Sequence, residues 1–403
     1  MPATRRLPPI WLMGLCNLPI GLGGAVCLVT VPQLLSAQGV PETSIAWVTA
    51  TALISSFTSF LLAPVLDWRL PRRAYAIITA ALTGTLVFAA LVAIDDLVVL
   101  TGLALAVGFA GNLNQAAVGG WLSSVTGPAE KSRVGAWLAI GNVSGFGLGA
   151  AATILIIRGL PPIVGPAVVG LLQLFPIALC FMVPATPADA RLGHESFRAF
   201  LRDVLSLLRR PIVRWYLFFF ILPEASFALS NTLTGLGKDF GASEELVGVV
   251  AGIGVAIAGV VGCLFVPPLI RGRRPELLYL AIGAAGAGIT LAQLALPLTP
   301  FTFAFGLIEQ NGIQAAALAV GNVMILRSNG EDNPLAATQF ALLTASMGVP
   351  LTYMQAIDGQ AYGVGGLAGS YLADALLGLT ACTLLVLMLR RRLGGALAPA
   401  VSY

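Results

Sequence analysis

Residues 63–94 read APVLDWRLPRRAYAIITAALTGTLVFAALVAI. The first eleven residues carry one aspartate and three arginines, and the following 21 residues carry no charge. A helix needs roughly 20 apolar residues to cross the hydrocarbon core of a bilayer, and arginines beside such a segment are typical of its cytoplasmic end. This stretch therefore predicts a membrane-spanning helix that begins on the cytoplasmic side.

Apolar segments of this length recur along the whole chain. Twelve of them are long enough to span a membrane, six before a charged gap and six after it: 10–36, 44–66, 74–94, 97–122, 133–157, 162–184, 213–234, 246–270, 276–296, 300–327, 336–356 and 366–389. The sequence thus predicts an all-α polytopic membrane protein with twelve transmembrane helices in two six-helix halves.

The basic residues orient these segments. Twenty of the 22 lysines and arginines lie in alternate gaps, and only Arg158 and Lys238 lie in the others. Because cytoplasmic loops carry an excess of lysine and arginine, we expect both termini in the cytoplasm. The expected location is a bacterial inner membrane.

The composition excludes several classes of protein. Hydrophobic residues make up 57% of the 403 residues and charged residues only 10%, against ~25% charged in soluble domains. The net charge of +4 is explained by the cytoplasmic loops, so no nucleic-acid partner is expected. The five cysteines lie in apolar segments without CxxC spacing, and no GxxxxGKS or GxxxxGKT loop occurs. We therefore expect no metal and no cofactor.

No cluster of nucleophile, base or metal ligands stands inside a segment, and the single histidine, His194, lies in the central gap. We therefore do not predict an enzyme.

An internal repeat supports the division into halves. Three pairs of residues are each 204 positions apart: Pro19 and Pro223, Pro64 and Pro268, and Arg69 and Arg273. Repeated six-helix halves place a substrate site between them near the membrane midplane. We predict halves at residues 1–184 and 213–403. The linker at 185–212 is either an amphipathic surface helix or a solvated connector.

Three acidic residues lie inside predicted spans, where a charge is costly unless it faces a cavity or a partner. Glu224 follows Pro223, which opens the helix, and no basic residue lies near it in the sequence. Glu309 stands beside an amide cluster. We predict that Glu224 and Glu309 couple protons. For Glu224, substrate binding and a hydrogen-bonded packing role stay open as alternatives. For Asp374, an outer gate and a local helix contact both stay open.

Amide side chains form the second polar group inside the spans. They donate and accept hydrogen bonds, which suits polyhydroxylated ligands. Segments four and ten carry amide clusters on opposite sides of the expected cavity. The predicted substrate-binding residues are Asn17, Asn112, Asn114, Gln115, Gln310, Asn311 and Gln314. The alternative is that these amides join neighbouring helices without a ligand.

The charged stretch quoted above is expected to act as a gate. A carboxylate at the end of segment two, followed by arginines, can bridge to the other half and hold the cytoplasmic side shut. The predicted gate consists of Asp67, Arg69, Arg72 and Arg73.

This stretch resembles the cytoplasmic signature of the major facilitator superfamily. Its Ala-Pro-x-x-Asp form is similar to the branch of AmpG-like muropeptide permeases and related siderophore importers. Three further motifs resemble that branch: Pro19-Ile20-Gly21-Leu22, Ile308-Glu309-Gln310-Asn311 and Ala337-Thr338-Gln339-Phe340-Ala341-Leu342-Leu343. Segment four departs from it, because the chain reads Gln115-Ala116 and Gly119-Gly120-Trp121 where the branch has aspartates. The resemblance then implies that their role passes to Glu224 or Glu309, or that the substrate differs.

The resemblance implies a secondary transporter that imports a small molecule with protons. The predicted substrate is a cell-wall-derived sugar-peptide such as an anhydromuropeptide, and a siderophore is the alternative. An exporter of apolar compounds is a third interpretation, favoured if Glu224 and Glu309 are dispensable. A receptor that binds without flux also stays open. We expect a monomer whose partners are the substrate, protons and the lipid bilayer.

Overall fold

The computed structural model describes residues 7–185, 197–225, 228–330 and 332–394. The regular structure within these ranges is helical, and they contain no strand. Helices dominate because a chain in hydrocarbon must satisfy its backbone hydrogen bonds internally. His194 and both chain ends, 1–6 and 395–403, lie outside the described residues.

Six spans form the N-terminal half. They are α1 (Ile10–Ala37), α2 (Glu42–Leu61), α3 (Arg72–Val92), α4 (Leu97–Val125), α5 (Lys131–Gly159) and α6 (Val164–Met182). The first span is interrupted at Cys16 and Asn17 and resumes at Leu18 with Pro19 in its first turn. The second is followed by a 3-10 turn, Ala63–Asp67.

Six spans form the C-terminal half. The first, α7, has two pieces, Pro211–Ile221 and Ala228–Gly235, on either side of Pro223. It is followed by α8 (Glu245–Leu269), α9 (Pro275–Gln293) and α10 (Pro300–Asn329). The last two spans run together as Ala336–Gly394 and are separated by a kink at Gly366, where φ is +60°. We assign 336–365 to α11 and 367–394 to α12.

Nine of the described helices are long and apolar enough to cross a membrane by themselves. Three features explain why nine helices, rather than the twelve predicted spans, meet this criterion. The break leaves α7 in two short pieces, α10 carries one glutamate and five amides, and α11 and α12 are continuous. With these, the fold has the twelve predicted spans.

Glycines let the interrupted first span of each half lie close to its neighbours. A Cβ at Gly21 of α1 would collide with the carbonyl oxygen of Asn142 on α5. In the C-terminal half, a Cβ at Gly283 of α9 would collide with the carbonyl oxygen of Glu224 in the α7 break. Close backbone approach through small residues is the usual packing of membrane helices.

The two halves meet through α5, which packs on α8 and α10, and through α4, which packs on α11. Glycines also set this spacing. A Cβ at Gly120 would lie 2.5 Å from the Ala337 nitrogen, and one at Gly135 would lie 2.6 Å from Val323. These contacts lie toward the end of the bundle that carries Arg69, Arg72 and Arg73, which we call the basic end.

The linker contains a helix, Phe197–Leu207. Leu207 is buried with Leu335, and Val204 and Trp68 pack against them. Leu205 and Leu208 are exposed, as are Arg202 and Arg209. This helix therefore joins α11 to the 3-10 turn at the basic end.

Candidate functional site

A small cavity lies between the halves, with α2 and α4 on one side and α11 on the other. Its volume is at most about 200 Å³. Its polar and aromatic lining consists of Ser56, Ser59, Asn112, Gln115, Phe340 and Thr344. We call it the interhalf cavity. None of these described lining residues is charged, so the cavity offers hydrogen bonds and one aromatic ring to a ligand.

Two predicted amides, Asn112 and Gln115, line this cavity. The Asn112 Nδ2 donates to the carbonyl of Gly108 at 2.8 Å and lies 3.3 Å from Ser55 Oγ. The Thr344 Oγ1 on the opposite wall is buried without a hydrogen-bond partner. A buried hydroxyl without a partner is costly, and a ligand hydroxyl or amide in the cavity would supply one.

Asn17 and Asn114 lie elsewhere, buried between helices of the N-terminal half. Asn17 Nδ2 donates to the carbonyl of Leu138 on α5 at 2.9 Å. Asn114 Nδ2 donates to the carbonyl of Ala76 on α3 at 2.8 Å. Both are hydrogen bonds between helices, the kind of contact in which amides join neighbouring helices without a ligand.

A second cavity lies inside the C-terminal half, among α7, α9, α10 and α12. Its volume is at most about 410 Å³. Its polar lining consists of Glu224, Thr290, Gln310, Gln314 and Asp374. We call it the carboxyl cavity. None of the described residues that line it is basic.

Glu224 enters this cavity from the break in α7. Its side chain is only 2% exposed, and neither carboxylate oxygen has a hydrogen-bond partner. The Glu224 carbonyl accepts a weak hydrogen bond from Cys382 Sγ on α12 at 3.7 Å. Pro223 explains the break, since proline lacks the N–H that a helix requires.

The α10 amides are distributed over more than one environment. Gln310 Nε2 donates to Thr290 Oγ1 at 2.6 Å, and Gln314 Oε1 accepts from Ser230 Oγ at 3.2 Å, both beside the carboxyl cavity. Asn311 donates to the carbonyl of Leu307 in its own helix at 2.8 Å.

Glu309 does not line either cavity. Its Oε2 accepts from Gln293 Nε2 on α9 at 3.2 Å, while its Oε1 is buried without a partner. Neighbouring residues on a helix point in different directions, so Glu309 and Gln310 face different surroundings.

Asp374 lies on the wall of the carboxyl cavity. The sequence left an outer gate and a local helix contact open for this residue, and α12 places it toward the interior of the C-terminal half. Its carboxylate thus shares a cavity with Glu224.

Asp67 and Arg72 join the halves at the basic end. Asp67 Oδ1 accepts from Arg72 Nε at 2.7 Å, and Asp67 Oδ2 accepts from the Thr338 backbone N–H at 2.8 Å and from its hydroxyl at 2.7 Å. Arg72 also donates to the carbonyls of Asn333 at 2.9 Å and Pro334 at 2.8 Å. The carboxylate therefore holds the N-terminus of α11, where the helix dipole favours negative charge.

The other two arginines of the predicted gate, Arg69 and Arg73, make their contacts within the N-terminal half. Arg69 lies over the Trp68 ring at 4.5 Å and has a positive φ of 62°. Arg73 donates to the carbonyl of Val183 at 3.3 Å. Arg210 joins the same region from the linker side, donating to Asn333 Oδ1 at 3.1 Å.

Comparison with known families gives a match over most of the chain. A family model described as Major Facilitator Superfamily matches residues 13–349. The chain belongs to the major facilitator superfamily. No significant match was found among curated protein sequences.

Solved structures of the superfamily share the fold of this facilitator. The human organic anion transporter MFSD10 superposes with a TM-score of 0.71 at 14% identity, covering 96% of this chain and all of that one. The proton:xylose symporter XylE gives 0.70 at 16%, with 94% of each chain covered. The E. coli fucose:proton symporter FucP gives 0.65 at 14%, with 92% and 97% covered. Identities this low establish the fold alone.

The facilitator is therefore a membrane-spanning protein with a secondary-transporter fold, a class that is not enzymatic in general. The muropeptide-permease and siderophore-importer branch stays a prediction. So do the proton-coupling, substrate and gating roles of individual residues.

One buried acidic residue was not among the predicted site residues of this facilitator. Asp358 is fully buried, and neither of its carboxylate oxygens has a hydrogen-bond partner. It lies in the gap between the predicted segments 336–356 and 366–389. The signal that could have revealed it is the lack of any other charge between positions 347 and 365.

Proposed function

We propose that this facilitator is a proton-coupled importer of a sugar-containing solute, and that an anhydromuropeptide-like sugar-peptide is its substrate. It resides in a bacterial inner membrane with both termini in the cytoplasm, so the basic end faces inward. The protein acts as a monomer. Its two units, 1–184 and 213–403, are connected by the linker at 185–212 and rock against each other.

The interhalf cavity is the observation that carries this proposal. Its uncharged serine, threonine and amide groups both donate and accept hydrogen bonds, as sugar hydroxyls do. Phe340 adds an apolar ring face. The names of XylE and FucP associate this fold with sugars and protons in those proteins, and we extend that association to this chain.

The size of the cavity supports alternating access. At no more than about 200 Å³, it is smaller than the roughly 300–1,000 Å³ of typical ligand sites. A sugar-peptide therefore requires the halves to separate around it. Asp67 and Arg72 hold α11 at the basic end, so we propose that these bonds break whenever the cavity opens inward.

The buried carboxyls supply the coupling in this proposal. Glu309 has one oxygen bonded to Gln293 and the other without a partner, and Glu224 has none. Burial of an unpaired carboxylate is costly. Protonation from the outside would therefore stabilise the substrate-loaded transporter, and deprotonation on the inside would favour release of the substrate.

The test is uptake of labelled anhydromuropeptide into right-side-out vesicles, with and without an acid-outside pH gradient. We expect accumulation only with the gradient. A vesicle preparation with a known muropeptide permease controls for substrate quality. Absence of uptake beside a working control would contradict the substrate, and the unlinked disaccharide and a ferric siderophore would then be assayed in the same vesicles.

Glu309→Gln tests the coupling separately. We expect at least about a tenfold loss of gradient-driven accumulation, equivalent to ~1.4 kcal/mol, while substrate exchange at equal pH continues. Glu42→Gln, at an exposed carboxyl of α2, is the matched control. Unchanged accumulation by Glu309→Gln would exclude this residue as the coupling group.

A siderophore importer is the second candidate, because an amide-lined cavity without charged residues also suits a neutral metal chelate. An exporter of apolar compounds would be favoured if neither Glu224 nor Glu309 affected transport.

A further inference from the structure

We propose that the carboxyl cavity is a sodium-binding site inside the C-terminal half, separate from the interhalf cavity that receives the substrate. The inference rests on the proposed function in one respect, since a coupling cation is what a secondary transporter needs. It adds a second ion and a location for it.

The donor set consists of oxygen atoms. Two carboxylates, from Glu224 and Asp374, line the cavity with the Thr290 hydroxyl and the amide groups of Gln310 and Gln314. Hard cations prefer carboxylate, carbonyl, hydroxyl and water oxygens. The donors come from α7, α9, α10 and α12, so they converge on one volume from four helices.

The state of Glu224 indicates that a positive charge is required there. The side chain is 98% buried and lines the cavity, yet both of its oxygens lack hydrogen-bond partners. An unpaired carboxylate in such surroundings costs several kcal/mol, and none of the described residues lining the cavity is basic. A bound cation would provide the missing partner.

The break in α7 adds negative potential at the same place. The helical piece Pro211–Ile221 ends just before Pro223 and Glu224. The C-terminal end of a helix carries partial negative charge on its free carbonyls. Interrupted helices of this kind coordinate coupling cations in membrane transporters.

The ligand set of the site, rather than its formal charge, favours sodium. In the portions of the chain that the structure describes, no three histidine, cysteine, aspartate or glutamate side chains come together as a metal site. The described lining offers five polar side chains, fewer than the six to eight oxygen ligands that calcium takes. It contains no histidine or cysteine, the residues whose nitrogen and sulfur atoms bind zinc and copper.

Glycine positions hold the site in place. A Cβ at Gly283 would collide with the Glu224 carbonyl oxygen, and one at Gly378 would lie 3.3 Å from the Pro223 carbonyl oxygen. The break is thus held between α9 and α12, and both of these helices contribute residues to the cavity that Glu224 lines.

The test is sodium binding by the full chain in lipid nanodiscs at one fixed alkaline pH, without any substrate. Binding of radiolabelled sodium and the thermal midpoint are measured in sodium chloride and in equal concentrations of potassium chloride. We expect saturable binding and a sodium-specific rise of the midpoint. Glu224→Gln and Asp374→Asn should each weaken binding at least about tenfold, whereas Glu245→Gln, at an exposed carboxyl of α8, should leave it unchanged.

Three results would overturn the site. They are the absence of a sodium-specific effect in the wild-type chain, wild-type sodium binding by both Glu224→Gln and Asp374→Asn, and an equal loss of binding in Glu245→Gln. Melting in potassium chloride checks that each variant is folded, and Thr290→Val provides a milder third variant. Because no pH gradient or sugar is present, failure here leaves gradient-driven uptake as a separate question.

Discussion

The two halves of this facilitator share a scaffold but bury different polar groups. Both begin with a span that is interrupted near a proline, Pro19 or Pro223. In the N-terminal half, the interior amides Asn17 and Asn114 donate to backbone carbonyls of neighbouring helices. In the C-terminal half, the interior carboxyl of Glu224 has no hydrogen-bond partner.

This difference in buried polar groups indicates different roles for the two halves. A buried amide whose N–H group donates to a neighbouring backbone carbonyl stabilises a half without changing its charge. A buried carboxyl without a partner can exchange a cation and thereby change the energy of the whole half. We infer that the N-terminal half supplies much of the uncharged ligand surface and the C-terminal half responds to ions.

The basic end shows a similar contrast. At the 204-residue offset, Asp67 and Arg72 correspond to Arg271 and Glu276, so the charges are reversed. Asp67 and Arg72 pair with each other and hold α11, whereas Glu276 accepts a hydrogen bond from Tyr216 at 2.8 Å within its own half. The described contacts that hold α11 at the basic end therefore come from the N-terminal member of this repeat pair.

The largest effect is expected for the gate. Asp67→Ala removes the carboxylate of a buried ion pair, which typically costs 3–5 kcal/mol, and leaves the α11 N-terminus without its acceptor. We expect a large fall in the thermal midpoint and loss of transport. Asp95→Ala, at an exposed carboxylate bonded to Gln38, should change both little. Equal effects of the two variants would remove the distinction between the gate and an ordinary surface acid.

A smaller effect on stability is expected for the glycines that hold the two interrupted spans. It tests whether α1 and α7 pack against their neighbours in the same way. Gly21→Ala and Gly283→Ala each place a Cβ against a backbone carbonyl, and overpacking of this kind typically costs about 1–3 kcal/mol. Gly102→Ala and Gly288→Ala lie on α4 and α9 with nothing within 4 Å and should be neutral. Thermal melting of the four variants gives the answer, and a strong effect in one half alone would show that the scaffold is not shared.

The smallest effect separates the two amide roles within α4. Gln115→Leu should raise KM about threefold to tenfold, up to ~1.4 kcal/mol, with an unchanged thermal midpoint, because Gln115 lines the interhalf cavity. Asn114→Leu should cost about 1 kcal/mol of stability with an unchanged KM, because it loses a hydrogen bond to α3. The reverse pattern in uptake and melting assays would contradict both assignments.

Local sequence features predicted the spans closely. The segment predicted at 74–94 is Arg72–Val92, and the segment at 97–122 is Leu97–Val125. Segment eleven was the exception, because its helix continues past Gly359 and Gly363 to 365. Glycine ends helices readily in water, but a backbone in hydrocarbon has no other source of hydrogen bonds.

The residues that line the two cavities were harder to predict from the sequence. Gln115 and Asn114 are neighbours, yet one lines the interhalf cavity and the other bonds α3. Glu309 and Gln310 are also neighbours, yet only Gln310 lines the carboxyl cavity. Adjacent positions on a helix differ by about 100° in direction, so the rotation of each span decides their roles.

The sequence by itself determined the membrane class, the twelve spans, and the positions of the interrupting prolines. These properties depend on apolar length and on proline's missing N–H, which are local. Only the tertiary structure decided that Glu224 and Asp374 share a cavity, that Asp358 is buried, and that Asp67 holds the start of α11. Those outcomes depend on which faces of distant helices meet, and packing of the whole bundle fixes that.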